Sequence, residues 1–455
     1  MHVVIVGGGI SGLALAHALL RAGRDGVRVT VFEREARPGG LIRSERVDGY
    51  LCEHGPSGFL DRAPDTQALV DELDLRGRLA PSNDRARRRF IYRGGRLRAI
   101  PTGLVPFITG NLLSWRGRLR VALEPFASAG TGRDESVHQF ASRRFGREVA
   151  DVVVDAVTTG IFGGSSRHLS IRGCFPRLWQ LERDHGSILR GMVRGRRSAA
   201  GGGSAPFGRL VSLAGGMEEL VSTLAGRVGV DLHRQTPVER IEPTTRGGPG
   251  WIVHAGGGVT ADADVLVVAT SATAAARLLA PVDADLSSML SDIQFAPMAV
   301  LCLGFDPSAT DATFDGFGFL VPRGEPVRIL GAMWESSIFQ GRAPDGQTLV
   351  RVMMGGGRDP GAPALDDREL VTRAREDLRA ICGVVSEPSF VRVVRQVPGL
   401  PQYTVGHAER LALIEERVRG HEGLRLTGNS YQGLGVNACI TNARRLAESL
   451  LEKAS

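Results

Sequence analysis

The first residues with the types and spacing to do chemistry stand at the start of the chain. Val3-Val4-Ile5-Val6 is a continuously apolar run, and Gly7-Gly8-Gly9-Ile10-Ser11-Gly12 comes directly after it as G-x-G-x-x-G. The run reads as a strand buried on both faces. The first glycine permits a tight turn, the second lets the backbone approach a pyrophosphate, and the third lets helix pack on strand. Leu13, Ala16, Leu19 and Leu20 then recur at helical spacing, and Ala22-Gly23 closes that helix. Its free N–H groups would face phosphate. A second strand, Val27 to Phe32, ends at Glu33, whose carboxylate can accept from both hydroxyls of an unphosphorylated adenosine ribose. An ordinary glycine-rich turn is the plainer explanation of the glycines alone; strand, helix and acidic residue together favour a dinucleotide.

The choice between NAD and FAD rests on residues beyond Glu33. Arg37-Pro38-Gly39-Gly40 comes soon after it, and Gly55-Pro56-Ser57-Gly58 adds a loop of free backbone donors. Ala263 to Thr270 is a buried strand ending in small residues. Leu424 to Asn429 is another, and Gly433-Leu434-Gly435-Val436 leads into a helix from about Asn437 to Leu451. With its Gly-Gly pair the chain resembles flavoprotein oxidases of the amine oxidase superfamily, which implies FAD. That resemblance sets the cofactor against Gly7, Gly8, Gly9, Ile10, Ser11, Gly12, Glu33, Arg34, Gly39, Gly40 and Leu41. It adds Gly55, Pro56, Ser57, Gly58, Val238, Asn429, Leu434, Gly435 and Val436. A helix N-terminus at the ring would stabilise negative charge on reduced flavin.

The middle of the chain carries a narrower resemblance. Thr159-Gly160-Ile161-Phe162-Gly163-Gly164, Leu169 to Arg172, Cys174-Phe175-Pro176, Gly316 to Pro322, Pro401-Gln402-Tyr403 and Gly406-His407 are similar to motifs of oxygen-dependent protoporphyrinogen oxidases. The similarity runs nearly end to end. It implies removal of six electrons from a porphyrinogen in three rounds, with dioxygen as acceptor and hydrogen peroxide released. Arg89 matches an arginine that holds a propionate. Gly160 matches a residue whose backbone lies against the macrocycle, Phe317 and Leu320 a pair that sandwiches a pyrrole, and Met333 and Met353 pocket-lining positions. No acid pair, nucleophile triad or metal set is required, because flavin accepts the hydride. No catalytic base is assigned; His185, His407 and His421 are expected to be structural.

The fold that must position these residues is α/β: a Rossmann-type FAD-binding domain, a mixed α+β substrate domain and a helical membrane-associating insert. The expected partition is 1–80, 205–275 and 415–455 for the cofactor domain, 81–100 and 276–414 for the substrate domain, and 101–204 for the insert. At 455 residues more than one unit is expected. Hydrophobic residues at 42% and charged ones at 23% exclude wholesale disorder, collagen and coiled coil. Gly201-Gly202-Gly203-Ser204 reads as a flexible linker.

The net charge of +7 is almost entirely guanidinium, since Lys453 is the single lysine. Anionic partners are expected, but with 5% aromatics and no zinc-finger or RNP-type spacing, nucleic acid is not one of them. Cys52, Cys174, Cys302, Cys382 and Cys439 are scattered and odd in number, which suits a reducing compartment without disulfides or metal. The opening residues give no signal peptide, and no uncharged stretch is long enough to span a bilayer. Leu104, Val105, Phe107, Ile108, Leu112, Leu113 and Trp115 precede Arg116, Arg118 and Arg120, a pattern for monotopic contact with anionic lipid. The expected location is cytoplasmic, peripherally bound to the cytoplasmic membrane. A homodimer and hand-over of product to a chelatase complete the expected partners. Rival readings are a coproporphyrinogen oxidase, an amine or carotenoid oxidoreductase, and a flavoprotein that binds tetrapyrrole without turnover.

Overall fold

The computed structural model describes residues 1–22, 26–101, 104–198, 208–227, 229, 231–244, 250–306 and 314–453. The expected linker Gly201 to Ser204 lies outside them. A five-stranded parallel sheet runs in the order Asp231–His233, Arg28–Phe32, His2–Val6, Val265–Val268, Leu424–Leu426. Alternation along His2–Val6 sends Val3 and Ile5 to one face and Val4 and Val6 to the other, so both faces need a layer. The helices Ile10–Arg21, Glu218–Arg227 and Val436–Lys453 cover the first. The second is covered by an antiparallel sheet, Val238–Pro243, Trp251–Ala255 and Val259–Ala263. The helices Ala272–Leu279, Ala284–Ser291 and His407–Arg419 join that layer.

This moves two expected boundaries. Leu286, Leu290, Leu411 and Ile414 fall within 276–414, yet they pack on the five-stranded sheet. The buried face of a helix, and not its position in the chain, decides which core it joins.

A seven-stranded mixed sheet forms the second layer system, in the order Phe390–Pro401, Phe295–Phe305, Thr348–Gly355, Gly331–Trp334, Gly318–Leu320, Arg89–Arg93, Arg96–Ala99. One face is sealed by the helix Asp367–Cys382 through Leu370, Ala374, Leu378 and Ile381, an amphipathic spacing. On the other face, Cys302 and Leu349 pack with Tyr50 and Cys52. Ile91 on that face packs with Leu112, Leu113, Val149 and Val152 of the intervening helices.

Residues 104–198 are mainly helical, as expected. A π-helical turn, Ala150–Val154, leads into the helix Asp155–Phe162, which carries Gly160. The insert is locked internally by the Arg144 and Glu124 ion pair, both fully buried, with Ser187 donating to Glu124 at 2.6 Å. Among the described residues no helix is long and apolar enough to cross a membrane.

Candidate active site

Parallel register aligns Val6 with Phe32 and Val268, so the ends of three strands, and the turns after them, share one edge of the sheet. There a Cβ on Gly12 would lie 2.1 Å from the Gly7 carbonyl, so the turn admits only glycine. A Cβ on Gly9 would meet nothing nearer than Gly40 Cα at 4.0 Å, so the space beside Gly9 is not filled by protein. Gly39 N–H donates to the Gly8 carbonyl at 2.7 Å, which holds the two glycine turns together. Glu33 is buried; its carboxylate accepts from Gly8 N–H at 2.7 Å and Glu35 N–H at 2.8 Å. A carboxylate has about four lone-pair sites, so capacity for hydroxyl donors remains.

The N-terminus of the helix Val436–Lys453 lies beside that of Ile10–Arg21, as Val436 and Ile440 share a core with Leu13. Burial pushes the Cys439 thiol up, opposed by a hydrogen bond with Ser11 at that same junction. Two helix N-termini beside a glycine cradle are an anion site by construction. Ile10 opens the first of these helices and is half-buried, while Leu41 is exposed just beyond Gly40. Arg34 is exposed and turned to Glu35 at 3.0 Å. Val238 begins its strand two residues after Thr236, whose N–H donates to the Glu33 carbonyl at 2.9 Å.

The loop Gly55 to Gly58 passes from the cradle toward the seven-stranded sheet. A Cβ on Gly55 would be 2.1 Å from the Leu41 carbonyl and one on Gly58 2.5 Å from the Val211 carbonyl, so both need glycine for close approach. Pro56 is half-buried and Ser57 buried between them. At the other end of the cradle, the Tyr403 hydroxyl donates to the Asn429 carbonyl while its ring stacks on His407 at 4.4 Å. Leu434 packs against the core of the helical insert, and Gly435 is open to solvent.

The expected substrate residues meet on one face of the seven-stranded sheet. Register sets Arg351, Met333, Gly318 and Arg89 side by side, and Met353, Gly331, Leu320 and Ile91 in the next row on that face. Gly318 has φ +130°, and a Cβ there would be 2.0 Å from the Ala332 carbonyl. This break in alternation lets Phe317 join Met333 in a cluster on the Arg89 side, while Phe319 fills the core. The Arg89 guanidinium lies 4.7 Å from the centre of the Phe317 ring. Arg89 is reachable by solvent, yet surrounding protein pulls its pKa down by desolvation alone, and no carboxylate pairs with it among the described residues. Gly160 packs on this face from the helix side, against Leu320.

His407 Nε2 meets the Tyr431 carbonyl at 2.9 Å and His421 Nε2 meets Asp283 at 2.7 Å. His185 closes the helix Pro176–His185. Among the described residues no group of His, Cys, Asp or Glu could hold a metal ion.

Sequence reading missed Arg351 and Glu335, which tie this face to the Gly55–Gly58 loop. A single arginine inside Thr-Leu-Val-Arg-Val-Met-Met-Gly was the available signal.

The family described as flavin containing amine oxidoreductase matches residues 10–451. The chain is 35% identical to protoporphyrinogen oxidase of Homo sapiens, over 99% of this chain and 98% of that one. It is 29% identical to coproporphyrinogen III oxidase of Bacillus subtilis (strain 168), over 99% and 98%. A solved structure from Exiguobacterium sp. 255-15, described as a candidate protoporphyrinogen oxidase, superposes with a TM-score of 0.84 at 27% identity, over 99% and 98% of the two chains. The cradle, the buried Glu33 and the paired helix N-termini fit the dinucleotide that such enzymes carry. This chain belongs to the flavin containing amine oxidoreductase family, and its cofactor is FAD.

Proposed function

We propose that the chain is an oxygen-dependent protoporphyrinogen IX oxidase of haem biosynthesis that forms protoporphyrin IX and hydrogen peroxide. The observation that carries this reading is the sheet face that holds Arg89, Phe317, Leu320, Met333 and Met353 together, with Gly160 packed against Leu320. FAD supplies the two-electron acceptor for each of the three oxidations. The protein's part is to hold the substrate's methylene bridges in turn and to exclude side reactions.

Each feature of the face suits a large apolar disc with carboxylates at one edge. Leu320, Met333, Met353 and Phe317 supply apolar surface, and Met adapts its shape to the edge it meets. Arg89 is uncommitted and partly desolvated, a state that strengthens a charge-assisted bond to a propionate. Arg351, the other guanidinium of that row, stands three strands away, about 14 Å, and is already engaged by Ser57 and Gly55. Charge recognition at one edge favours a substrate with two propionates over coproporphyrinogen III with four. Oxidation of both porphyrinogens in air, followed by porphyrin fluorescence, tests the reading; preference for coproporphyrinogen would reverse the assignment.

We further read the insert as a membrane contact in a cytoplasmic protein, on a set of residues that overlaps the expected one only in part. Leu112 and Leu113 are buried and Phe107 is partly buried, so part of the apolar stripe is cover over the sheet. Val105 and Trp115 of the expected stripe are exposed, joined by Leu119, Leu123 and Phe126, the last at 79%. Arg116 lies 5.3 Å from the Trp115 ring and Arg190 lies 5.9 Å from that of Phe126. Arg118 and Arg120 are turned to backbone carbonyls, at 3.1 Å and 2.7 Å. Apolar groups beside guanidinium suit anionic headgroups. Dioxygen as acceptor, a homodimer and hand-over to a chelatase belong to the same proposal.

A further inference from the structure

The strand Phe390–Pro401 is the outermost of the seven-stranded sheet and its longest, at 12 residues. Its inner edge pairs with Phe295–Phe305, and among the described residues no strand pairs with its outer edge. A row of unpaired backbone groups of that length is a template for another strand, and proteins usually blunt such an edge by shortness or by charge. The opposite edge of the same sheet is blunted in that way. Arg96–Ala99 has four residues, of which Arg96 and Arg98 are charged.

Phe390–Pro401 also carries arginines, but both are turned back on their own chain. Arg392 donates to the two carboxylate oxygens of Glu45 at 2.9 Å and 2.8 Å. Arg395 donates to Asp367 at 2.6 Å and to the Pro363 and Leu365 carbonyls at 2.9 Å and 2.6 Å. Neither is left as a guard charge. What the edge shows to solvent is Val391 at 43% and Val397 at 71%. Pairing with Phe295–Phe305 is regular as far as Gln396 and bulges just beyond it, where Val397 stands out.

The positions along this edge complement themselves. When a second copy lies antiparallel on it about a twofold axis through Val394, Val391 of each copy comes beside Val397 of the other. Arg392 then comes beside Gln396 and Val393 beside Arg395, so no two arginines meet. A register centred on Val393 instead would set Val391 beside Arg395 and Val397 beside Ser389. Only the first covers apolar with apolar.

We propose that the outer edge of Phe390–Pro401 is the surface on which two copies of this chain associate, in the register centred on Val394, as one sheet continuous across both. The inference rests on the homodimer reading, to which it gives a surface, and is independent of the substrate. The overlap from Val391 to Val397 provides about six to eight backbone hydrogen bonds but little apolar area, so the dimer is a reversible one.

The test is sedimentation velocity of the FAD-loaded protein over a range of concentrations. Salt screens the net charge of +7, and a nonionic detergent covers the exposed residues of the insert. Wild type is expected to pass from monomer to dimer. Val391→Lys and Val397→Glu each set a charge against a valine and are expected to raise Kd about tenfold or more. The double variant Val391→Lys/Val397→Glu sets opposite charges beside each other at both ends of the pairing and is expected to recover most of that loss. Within one chain the two positions are about 20 Å apart, too far to pair there. A wild type that stays monomeric throughout overturns both the surface and the homodimer reading. A dimer that the single substitutions leave intact overturns the surface alone, and a double variant no tighter than the single ones overturns the register.

Discussion

Gly160 packs directly against Leu320: a methyl group on Gly160 would lie 2.5 Å from Leu320 Cδ2, inside van der Waals contact. The helix Asp155–Phe162 and the strand Gly318–Leu320 can approach this closely only because Gly160 has no side chain. Leu320 is half-buried, so it retains some room to turn away.

Gly160→Ala is therefore expected to push Leu320 out of place, with FAD retained. An overpacking cost of about 1–3 kcal/mol corresponds to a loss in kcat/KM of about five- to a hundredfold. The double variant Gly160→Ala/Leu320→Ala, which restores room, should recover part of it. Wild-type kcat/KM in Gly160→Ala would place the substrate elsewhere.

Arg89→Ala removes the uncommitted guanidinium beside Phe317. A charge-assisted hydrogen bond of roughly 1.5–3 kcal/mol is lost, about ten- to a hundredfold in kcat/KM. The flavin absorption spectrum should not change. Steady-state kinetics with an unaltered kcat/KM would remove Arg89 from the site.

FAD is expected to be noncovalent, so acid precipitation should leave it in the supernatant. Burial raises the Cys439 thiol at the Ser11 junction of the cradle, and a thiol in that state is a poor nucleophile. Gly9→Ala should fold normally and lose the cofactor, since protein leaves the space beside Gly9 open. Flavin found in the protein pellet would contradict this.

Asp283 links two helices of the cofactor layer, capping Leu286 N–H at 3.0 Å and meeting Arg417 at 2.6 Å and His421 at 2.7 Å. The Arg417 hydrogen bond is the main reason its carboxyl is held well below the usual range, desolvation by burial opposes it, and the His421 and Leu286 N–H bonds add to the lowering. Asp285 faces the same arginine at 2.9 Å. A folded pKa below the unfolded one means stability present above about pH 4 and lost as pH falls through the folded value. Asp283→Asn should lower Tm at neutral pH and flatten its fall in acid. Equal acid-unfolding curves by circular dichroism would show that the charge is immaterial.

Binding to anionic vesicles should fall in high salt and fall further in Trp115→Ser/Phe126→Ser, which removes the most exposed aromatic residues of the insert. Guanidinium groups near such a surface contribute on the order of 1 kcal/mol each, so apolar contact must supply the rest. Equal sedimentation of wild type and the folded double variant with vesicles would refute the contact.

The cofactor cradle was legible because its chemistry is local. Gly7 to Gly12 lie in one turn, and Glu33 ends the next strand, so period and spacing were enough to read them. The same holds for the amphipathic helices, whose faces are set by residues three and four apart. The pairing of Arg351 with Ser57, the row that brings Met333 beside Arg89, and the inward turn of Leu112 were decided by the tertiary structure. Each depends on register between strands far apart in sequence, or on which of two cores a helix meets. A shift of one residue would turn Arg351 into the core and Val352 toward the cofactor. The alternation within Thr348–Gly355 fixes that two faces exist, but only the burial of Val350, Val352 and Met354 against the helix Asp367–Cys382 decides which one the arginine takes.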